Sequence, residues 1–314
     1  MIHYIEYLIF ILSMTSLIYG ANHIIIQSEK IALHFNISSF VIGATLIGLG
    51  TSLPEMAASV TASLQHKSDL AISNVLGSNT INISLILGII FFISKDIMPK
   101  RDIFRYDSAW ILIPPIYFLL VSYDGIISRF DGIILLLMMV AYLFFLKADS
   151  ATFKSVIDTD IVKEKFAWGK TIVLLIAGFF FIIVGAKYTI SSASQIARDL
   201  GTSEWVIGLL LIALGTSLPE LVVSILAVKK KNIDMAIGNI IGSNVANFAV
   251  VLGTASIVNP LHINLFKNGF DILCVFVSAT LLVFISANKF YNKSSGILLL
   301  SVLLLMIANS FNVF

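Results

Sequence analysis

The stretch "GLGTSLPEM", Gly48 to Met56, places a proline and a glutamate near the middle of an otherwise apolar run from about residue 39 to residue 64. A second stretch, "ALGTSLPEL" from Ala213 to Leu221, repeats the pattern. A proline removes one helical hydrogen bond, and an acidic group in lipid is costly to bury. The pattern is unfavourable for both reasons, yet the chain contains it twice. This indicates that the two copies share a function and that the chain arose by duplication.

The composition is that of an integral membrane protein. The chain has 314 residues, of which 58% are hydrophobic and only 12% charged, and its mean hydropathy is +0.98. Soluble domains are about a quarter charged, and a membrane helix needs about 20 apolar residues. We therefore predict an all-α integral membrane protein with ten transmembrane helices. The predicted spans are 4–26, 39–64, 70–93, 108–122, 128–147, 170–197, 204–228, 235–258, 268–287 and 294–313.

The chain contains an internal repeat with an offset of 165 residues. Between Ser38–Glu55 and Ser203–Glu220, thirteen of eighteen positions are identical, and the ungapped match continues through "GSN" at Gly77 and Gly242. Each copy holds five spans, so the second copy enters the membrane from the opposite face. This is the inverted-repeat plan of secondary transporters, which bind substrate between the repeats near the midplane. The predicted units are a first repeat, 1–148, a linker, 149–168, and a second repeat, 169–314.

The basic residues predict the orientation. The loops after the odd-numbered spans hold fifteen of the twenty Lys and Arg residues, and short basic loops mark the cytoplasmic face. Both termini should therefore be extracellular and the 149–168 linker cytoplasmic, in a multi-pass protein of the cell membrane. The lipid bilayer is the expected partner, no nucleic acid is expected, and we take a monomer as sufficient. The lone Cys274 excludes an intramolecular disulfide.

Glu55 and Glu220 are the acidic residues that lie deep inside predicted spans. Such a group costs about 3 kcal/mol at a helix centre, so it needs a counter-charge or a function. Lys187 is not repeated, because its counterpart is Asn22. A mobile cation is the simplest counter-charge that serves both acids.

The neighbouring residues supply oxygen ligands. Gly48, Thr51, Ser52 and Glu55 share one helical face through their spacing of three, one and three. Hydroxyl, amide, carboxylate and backbone carbonyl oxygens, without sulfur or imidazole, suit Ca²⁺ and, by the same logic, Na⁺. The remaining candidates are the matching face Ala213, Thr216, Ser217 and Glu220, and the i, i+4 pairs Ser78 with Asn82 and Ser243 with Asn247.

The motif "GTSLPE", followed in each half by "GSN" and an Asn four residues beyond the Ser, resembles the two repeats of the sodium/calcium exchanger family. The resemblance covers nearly the whole chain and implies a transporter without a cofactor, not an enzyme. It implies that Glu55 and Glu220 bind Ca²⁺ with the carbonyls of Thr51 and Thr216. It further implies Na⁺ sites and two sliding helices, spans 1 and 6. The Na⁺ ligands would be Ser52, Ser78, Ser217 and Ser243 with the carbonyls of Gly48 and Ala213, and Gly20 and Gly185 would be close-approach points of the sliding helices.

One departure from the family pattern and several alternatives remain open. Relatives, including the potassium-dependent branch, often carry Asp where this chain has Asn247, so we expect no requirement for K⁺. A Ca²⁺/H⁺ antiporter of the same fold is the nearest alternative, although protons need no hydroxyl ligands. A cation channel could also use central carboxylates. An intramembrane hydrolase using Ser52 or Ser217 lacks a His or Lys base at matching depth.

Overall fold

The computed structural model describes residues 2–93, 98–150, 166–200 and 214–310, most of which are helical. In these ranges a short antiparallel pair joins β1 (Ile126–Ile127) to β2 (Leu261–His262). The described helices, with π-helical turns counted as part of the helix that contains them, are α1 (Ile2–Phe35), α2 (Ser39–Thr51), α3 (Leu53–Leu64), α4 (Ser68–Ile93), α5 (Ile103–Val121), α6 (Arg129–Ser150), α7 (Trp168–Asp199), α8 (Leu218–Lys229), α9 (Ile233–Val258), α10 (Gly269–Ala287) and α11 (Lys293–Ser310).

The all-α membrane fold predicted from the sequence is confirmed. Within the described ranges, six helices are long and apolar enough to cross a bilayer, and α2 with α3 form a seventh span that is bent by 42°. The helices α5, α8 and α11 lie where the other three spans are predicted, and the first part of span 7, residues 204–213, falls outside the described residues. The predicted boundaries of the repeats and the linker stay a prediction, because most of the linker also lies outside the described residues.

Helix α1 is longer than predicted. It continues to Phe35 instead of ending near residue 26. The polar residues near its end, Glu29 and Lys30, suggested a loop. The helix nevertheless continues because Ala32 is buried in the core and Ile31 packs against that core.

The contact between α1 and α7 shows that the two repeats are inverted. A Cβ atom added to Gly20 would lie 2.7 Å from the carbonyl oxygen of Gly178, and one added to Gly185 would lie 2.9 Å from that of Ser13. Low numbers in α1 therefore meet high numbers in α7, so these equivalent helices run antiparallel. The predicted close approach at Gly20 and Gly185 is present in the structure.

The helices α4 and α9 form the centre of the bundle. In their most apolar 18-residue stretches, 72% and 78% of the residues are buried, against 33% in both α1 and α7. Helix α2 packs tightly on α9, because a Cβ on Gly238 would overlap the backbone of Phe40 and one on Gly242 would overlap that of Ala44. Small residues are what allow membrane helices to approach this closely. The backbones around the "GTSLPE" motif of the first repeat and the "GSN" motif of the second are thereby brought to the middle of the molecule.

Candidate cation-binding site

The proline in each motif lies at the start of a helix. Ser52 lies between α2 and α3 with φ −80° and ψ 4°, and Ser217 precedes α8 with φ −84° and ψ 5°. Pro54 and Pro219 then occupy the start of the new helix, where a missing N–H costs little. Glu55 and Glu220 follow in the first turn. There the partial positive charge of the helix N-terminus favours a carboxylate.

The two acids are bonded crosswise between the repeats. Ser52 Oγ donates to Glu220 Oε1 at 3.4 Å, and Ser217 Oγ donates to Glu55 Oε1 at 3.5 Å. Both glutamates are 0% exposed. Within the described residues, Oε2 of each glutamate has no hydrogen-bond partner. Two buried carboxylates thus face each other's motif and each keeps one oxygen available.

The threonines of the motifs make a second crosswise pair. Thr51 Oγ1 lies 3.4 Å from Ser243 Oγ, and Thr216 Oγ1 lies 3.4 Å from Ser78 Oγ. Ser243 Oγ also donates to the carbonyl oxygen of Gly48 at 3.2 Å. The hydroxyls of α4 and α9 therefore lie against the "GTSLPE" motif of the opposite repeat.

The oxygen spacing fits a coordination shell better than a closed hydrogen-bond network. The four crosswise O···O distances are 3.4, 3.5, 3.4 and 3.4 Å, whereas hydroxyl hydrogen bonds are commonly about 2.7–2.8 Å. Oxygen ligands lie about 2.3–2.6 Å from Ca²⁺, so ligands at right angles are about 3.3–3.7 Å apart. The spacing is compatible with oxygens that share one cation.

Within the described residues, no basic side chain forms an ion pair with Glu55 or Glu220 that could replace a bound cation. In the part of the chain that the structure describes, neither glutamate forms an ion pair, whereas Arg101 pairs with Asp107 and Lys267 with Asp69. Lys187 is exposed on α7. The charge of the two carboxylates is therefore left to whatever binds between them.

Nine of the twelve predicted site residues come together in the structure. Ala213 lies outside the described residues. Asn82 and Asn247, both 0% exposed, each begin a π-helical turn, Asn82–Leu87 in α4 and Asn247–Leu252 in α9. Such turns are frequent at functional sites. The other predicted residues make the crosswise contacts described above: Gly48, Thr51, Ser52, Glu55, Ser78, Thr216, Ser217, Glu220 and Ser243.

Two asparagines at the site were missed in the sequence. Asn74 Oδ1 accepts from Thr216 Oγ1 at 3.5 Å while its Nδ2 donates to Ser59 Oγ at 2.8 Å. The equivalent Asn239 Oδ1 accepts from Thr51 Oγ1 at 3.3 Å. In turn, Asn239 Nδ2 donates to Ser224 Oγ at 3.0 Å. Both asparagines lie one turn before the predicted Ser78 and Ser243, so extending the i, i+4 pattern backwards would have found them.

Comparison with known proteins gives a consistent result. The family model for the sodium/calcium exchanger protein matches residues 5–148 and 170–312. An uncharacterised membrane protein of Methanocaldococcus jannaschii is 36% identical over 96% of both chains, and the sodium/calcium exchanger MaX1 of Methanosarcina acetivorans is 28% identical over 94% of this chain and 95% of its own. A solved structure of the sodium-calcium exchanger NCX_Mj, soaked with Na⁺ and Sr²⁺, matches with a TM-score of 0.81 and 32% identity, covering 98% of this chain and 99% of the other.

Proposed function

The chain belongs to the sodium/calcium exchanger protein family, a family of cation transporters and not of enzymes, and we propose that it exchanges Na⁺ for Ca²⁺ at the site between Glu55 and Glu220. The observation that carries the proposal is the crosswise pairing of two buried carboxylates with serines of the opposite repeat, at 3.4 and 3.5 Å. This arrangement supports a cation shared by both repeats. A cation held in this way would couple the two halves of the molecule.

The ligand set that we propose follows from the chemistry of the residues around this pair. For Ca²⁺ it comprises the carboxylates of Glu55 and Glu220 with the carbonyls of Thr51 and Thr216. For Na⁺ it comprises the same two carboxylates with four serine hydroxyls and two further carbonyls, and two amides serve either ion. The serines are Ser52, Ser78, Ser217 and Ser243, the further carbonyls are those of Gly48 and Ala213, and the amides are those of Asn82 and Asn247.

Shared oxygens support exchange instead of cotransport. One Ca²⁺ neutralises two carboxylates, and so do Na⁺ ions that use the same oxygens. Because both ions need Glu55 and Glu220, occupancy by one excludes the other. A bound cation removes the cost of burying the carboxylates, so the loaded protein can change its open side. Na⁺ and Ca²⁺ then each drive the same movement, but in opposite directions.

The test is Na⁺-gradient-driven ⁴⁵Ca²⁺ uptake into proteoliposomes that contain the parent, Glu55→Gln or Glu220→Gln. Each substitution halves the charge available to Ca²⁺, so we expect each to lower the uptake rate by at least about 100-fold, as loss of a direct metal ligand does. Glu6→Gln, at the start of α1 and outside the site, is the control and should transport like the parent. Parent-like uptake by both site variants would contradict the assignment.

Two further arms distinguish the alternatives. A pH gradient that drives Ca²⁺ uptake where a Na⁺ gradient does not would identify Ca²⁺/H⁺ exchange. Ca²⁺ flux that persists without any counter-ion would identify a channel.

We also propose that transport does not need K⁺, since Asn247 supplies an amide in place of a third carboxylate. The extracellular position of both termini and the cell-membrane location stay predictions from the basic loops.

A further inference from the structure

Asn82 and Asn247 occupy equivalent positions, yet their side chains are held differently. Asn82 Nδ2 donates to Asn244 Oδ1 at 2.9 Å. By the 165-residue offset, Asn79 should serve Asn247 in the same way. That bond is not made: within the described residues, Asn247 Nδ2, Asn247 Oδ1 and Asn79 Oδ1 are all buried without a hydrogen-bond partner. Asn247 Nδ2 and Asn79 Oδ1 are the donor and the acceptor of the bond that is not made, and Asn247 Oδ1 is the other end of the same amide.

A backbone carbonyl determines which way the Asn82 amide points. Asn244 Nδ2 donates to the carbonyl oxygen of Asn79 at 3.3 Å, and a carbonyl oxygen can only accept. Asn244 must therefore turn Oδ1 toward Asn82, and an oxygen there needs a donor. Asn82 meets it with Nδ2, which leaves Asn82 Oδ1 buried and without a partner among the described residues.

Asn79 cannot do the same for Asn247, because its side chain is bonded to its own helix. Asn79 Nδ2 donates to the carbonyl oxygen of Val75 at 2.7 Å. At the equivalent position, the Asn244 side chain donates instead to the opposite repeat. The Asn247 amide, 0% exposed, is consequently not oriented by any described neighbour.

We propose that Asn244 is a positioning residue that holds Asn82 with its amide oxygen directed to the cation, and that Asn247 has no such residue among those that the structure describes. The proposal rests on the proposed function for the assignment of Asn82 as a ligand. An amide oxygen attracts a hard cation, whereas the NH₂ group of the same amide repels it. Only the Asn82 side of the site is therefore committed to presenting an oxygen. The two asparagines contribute unequally to cation binding despite their equivalent positions.

The experiment compares Asn244→Ala with the matched control Asn79→Ala, the same change at the equivalent position of the other repeat. Calorimetric titration of the purified full-length protein with Ca²⁺ gives the Kd, and proteoliposome uptake gives the KM and kcat. Loss of the residue that orients a metal ligand commonly costs about 10- to 100-fold in affinity, so we expect Asn244→Ala to raise the Kd and KM by about 10-fold. Asn79→Ala should change both by less than about twofold.

A second background separates positioning from a general structural role. A carboxylate presents an oxygen in either rotamer, so Asn82→Asp needs no orienting partner. In the Asn82→Asp background, Asn244→Ala should therefore not raise the Kd, and it also removes the amide oxygen that would face the new carboxylate. If Asn244→Ala does not give folded protein, Asn244→Leu, of similar volume, replaces it in both backgrounds.

The outcomes divide cleanly. Equal effects of Asn244→Ala and Asn79→Ala would overturn the proposal, and so would an equal loss with Asn82 or with Asp at that position. A Ca²⁺ Kd that responds as expected in a protein that a Na⁺ gradient does not drive would refute the proposed function and still support the positioning role.

Discussion

Asp69 and Asp234 occupy equivalent positions at the starts of α4 and α9, but their surroundings differ. Asp69 pairs with Lys267 at 2.5 Å, and the two side chains are 58% and 64% exposed. Asp234 accepts from the backbone N–H of Arg101 at 3.2 Å, and Arg101 is itself buried in a 2.6 Å ion pair with Asp107. Near the glutamates, by contrast, the crosswise serine and threonine contacts match between the two halves. The halves agree in these contacts and diverge at the ends of the bundle.

The buried end is also held by aromatic rings. The Arg101 guanidinium lies 4.4 Å from the ring centroid of Phe40, at the start of α2, and 5.1 Å from that of Tyr106. One side chain thus connects the segment before α5 with α2, while its backbone connects it with α9. No such connection is expected from an exposed Lys–Asp pair, which is worth about 0–1 kcal/mol.

The largest expected effect comes from breaking the buried ion pair. Arg101→Met breaks the ion pair of the 0% exposed Asp107 and should destabilise the protein by about 3–5 kcal/mol. The measurement is the thermal unfolding midpoint in detergent. Lys267→Met, which removes the exposed counterpart, should cost no more than about 1 kcal/mol. Similar losses in the two variants would refute the contrast between the two ends.

The double variant Arg101→Met with Asp107→Leu sharpens the same comparison. Removing both charges together avoids the uncompensated carboxylate, so most of the lost stability should return. A double variant as unstable as Arg101→Met would mean that the packing of Arg101 on the rings, and not its charge, holds this end together.

A glycine pair offers a second contrast between the halves. A Cβ on Gly242 would overlap the backbone of Ala44, whereas one on the equivalent Gly77 would meet no atom within 4 Å. Gly242→Ala should therefore cost about 1–3 kcal/mol through overpacking and reduce ion transport. Gly77→Ala should be neutral or stabilising by up to about 1 kcal/mol, since alanine favours a helix. Unfolding midpoints of both variants test this, and equal midpoints would contradict it.

The smallest effect is expected where the halves agree. Asn74→Ala and Asn239→Ala each remove one bond to a threonine of the opposite repeat and one to a serine, and Asn74→Ala also removes a bond to the carbonyl oxygen of Glu55. A hydrogen bond is worth about 1 kcal/mol, so loss of the bond to the site threonine should raise the KM for Ca²⁺ by about fivefold in each variant. Uptake assays should find the two values within about twofold of each other. A response from only one of the two would mean that this part of the network is not symmetric in function.

The main features of the fold and site were readable from the sequence because they are local and repeated. A proline next to an acid inside an apolar run is unfavourable wherever it occurs, and the second copy, at Pro219 and Glu220, identified it as functional. The odd number of spans per copy then implied inversion. The antiparallel contact of Gly20 with Gly178 confirms that implication.

The remaining features depend on partners that are distant in sequence. Asn82 and Asn247 are the same residue in the same motif, and only the tertiary neighbours Asn244 and Asn79 make them different. Arg101 was interpreted as one of the basic loop residues that mark the cytoplasmic face, but it is 5% exposed. Its burial depends on Asp107 and Phe40, and no local pattern connects these three residues.

The π-helical turns at Asn82–Leu87 and Asn247–Leu252 bear on the history of the chain. A π-helical turn holds one residue more than an α-helical turn. An insertion in one copy alone would shift the register beyond it, yet the 165-residue offset is the same before the turns, at Gly77 and Gly242, and after them, at Gly88 and Gly253. The widened turn therefore stands at the same register in both halves, as it would if it were older than the duplication.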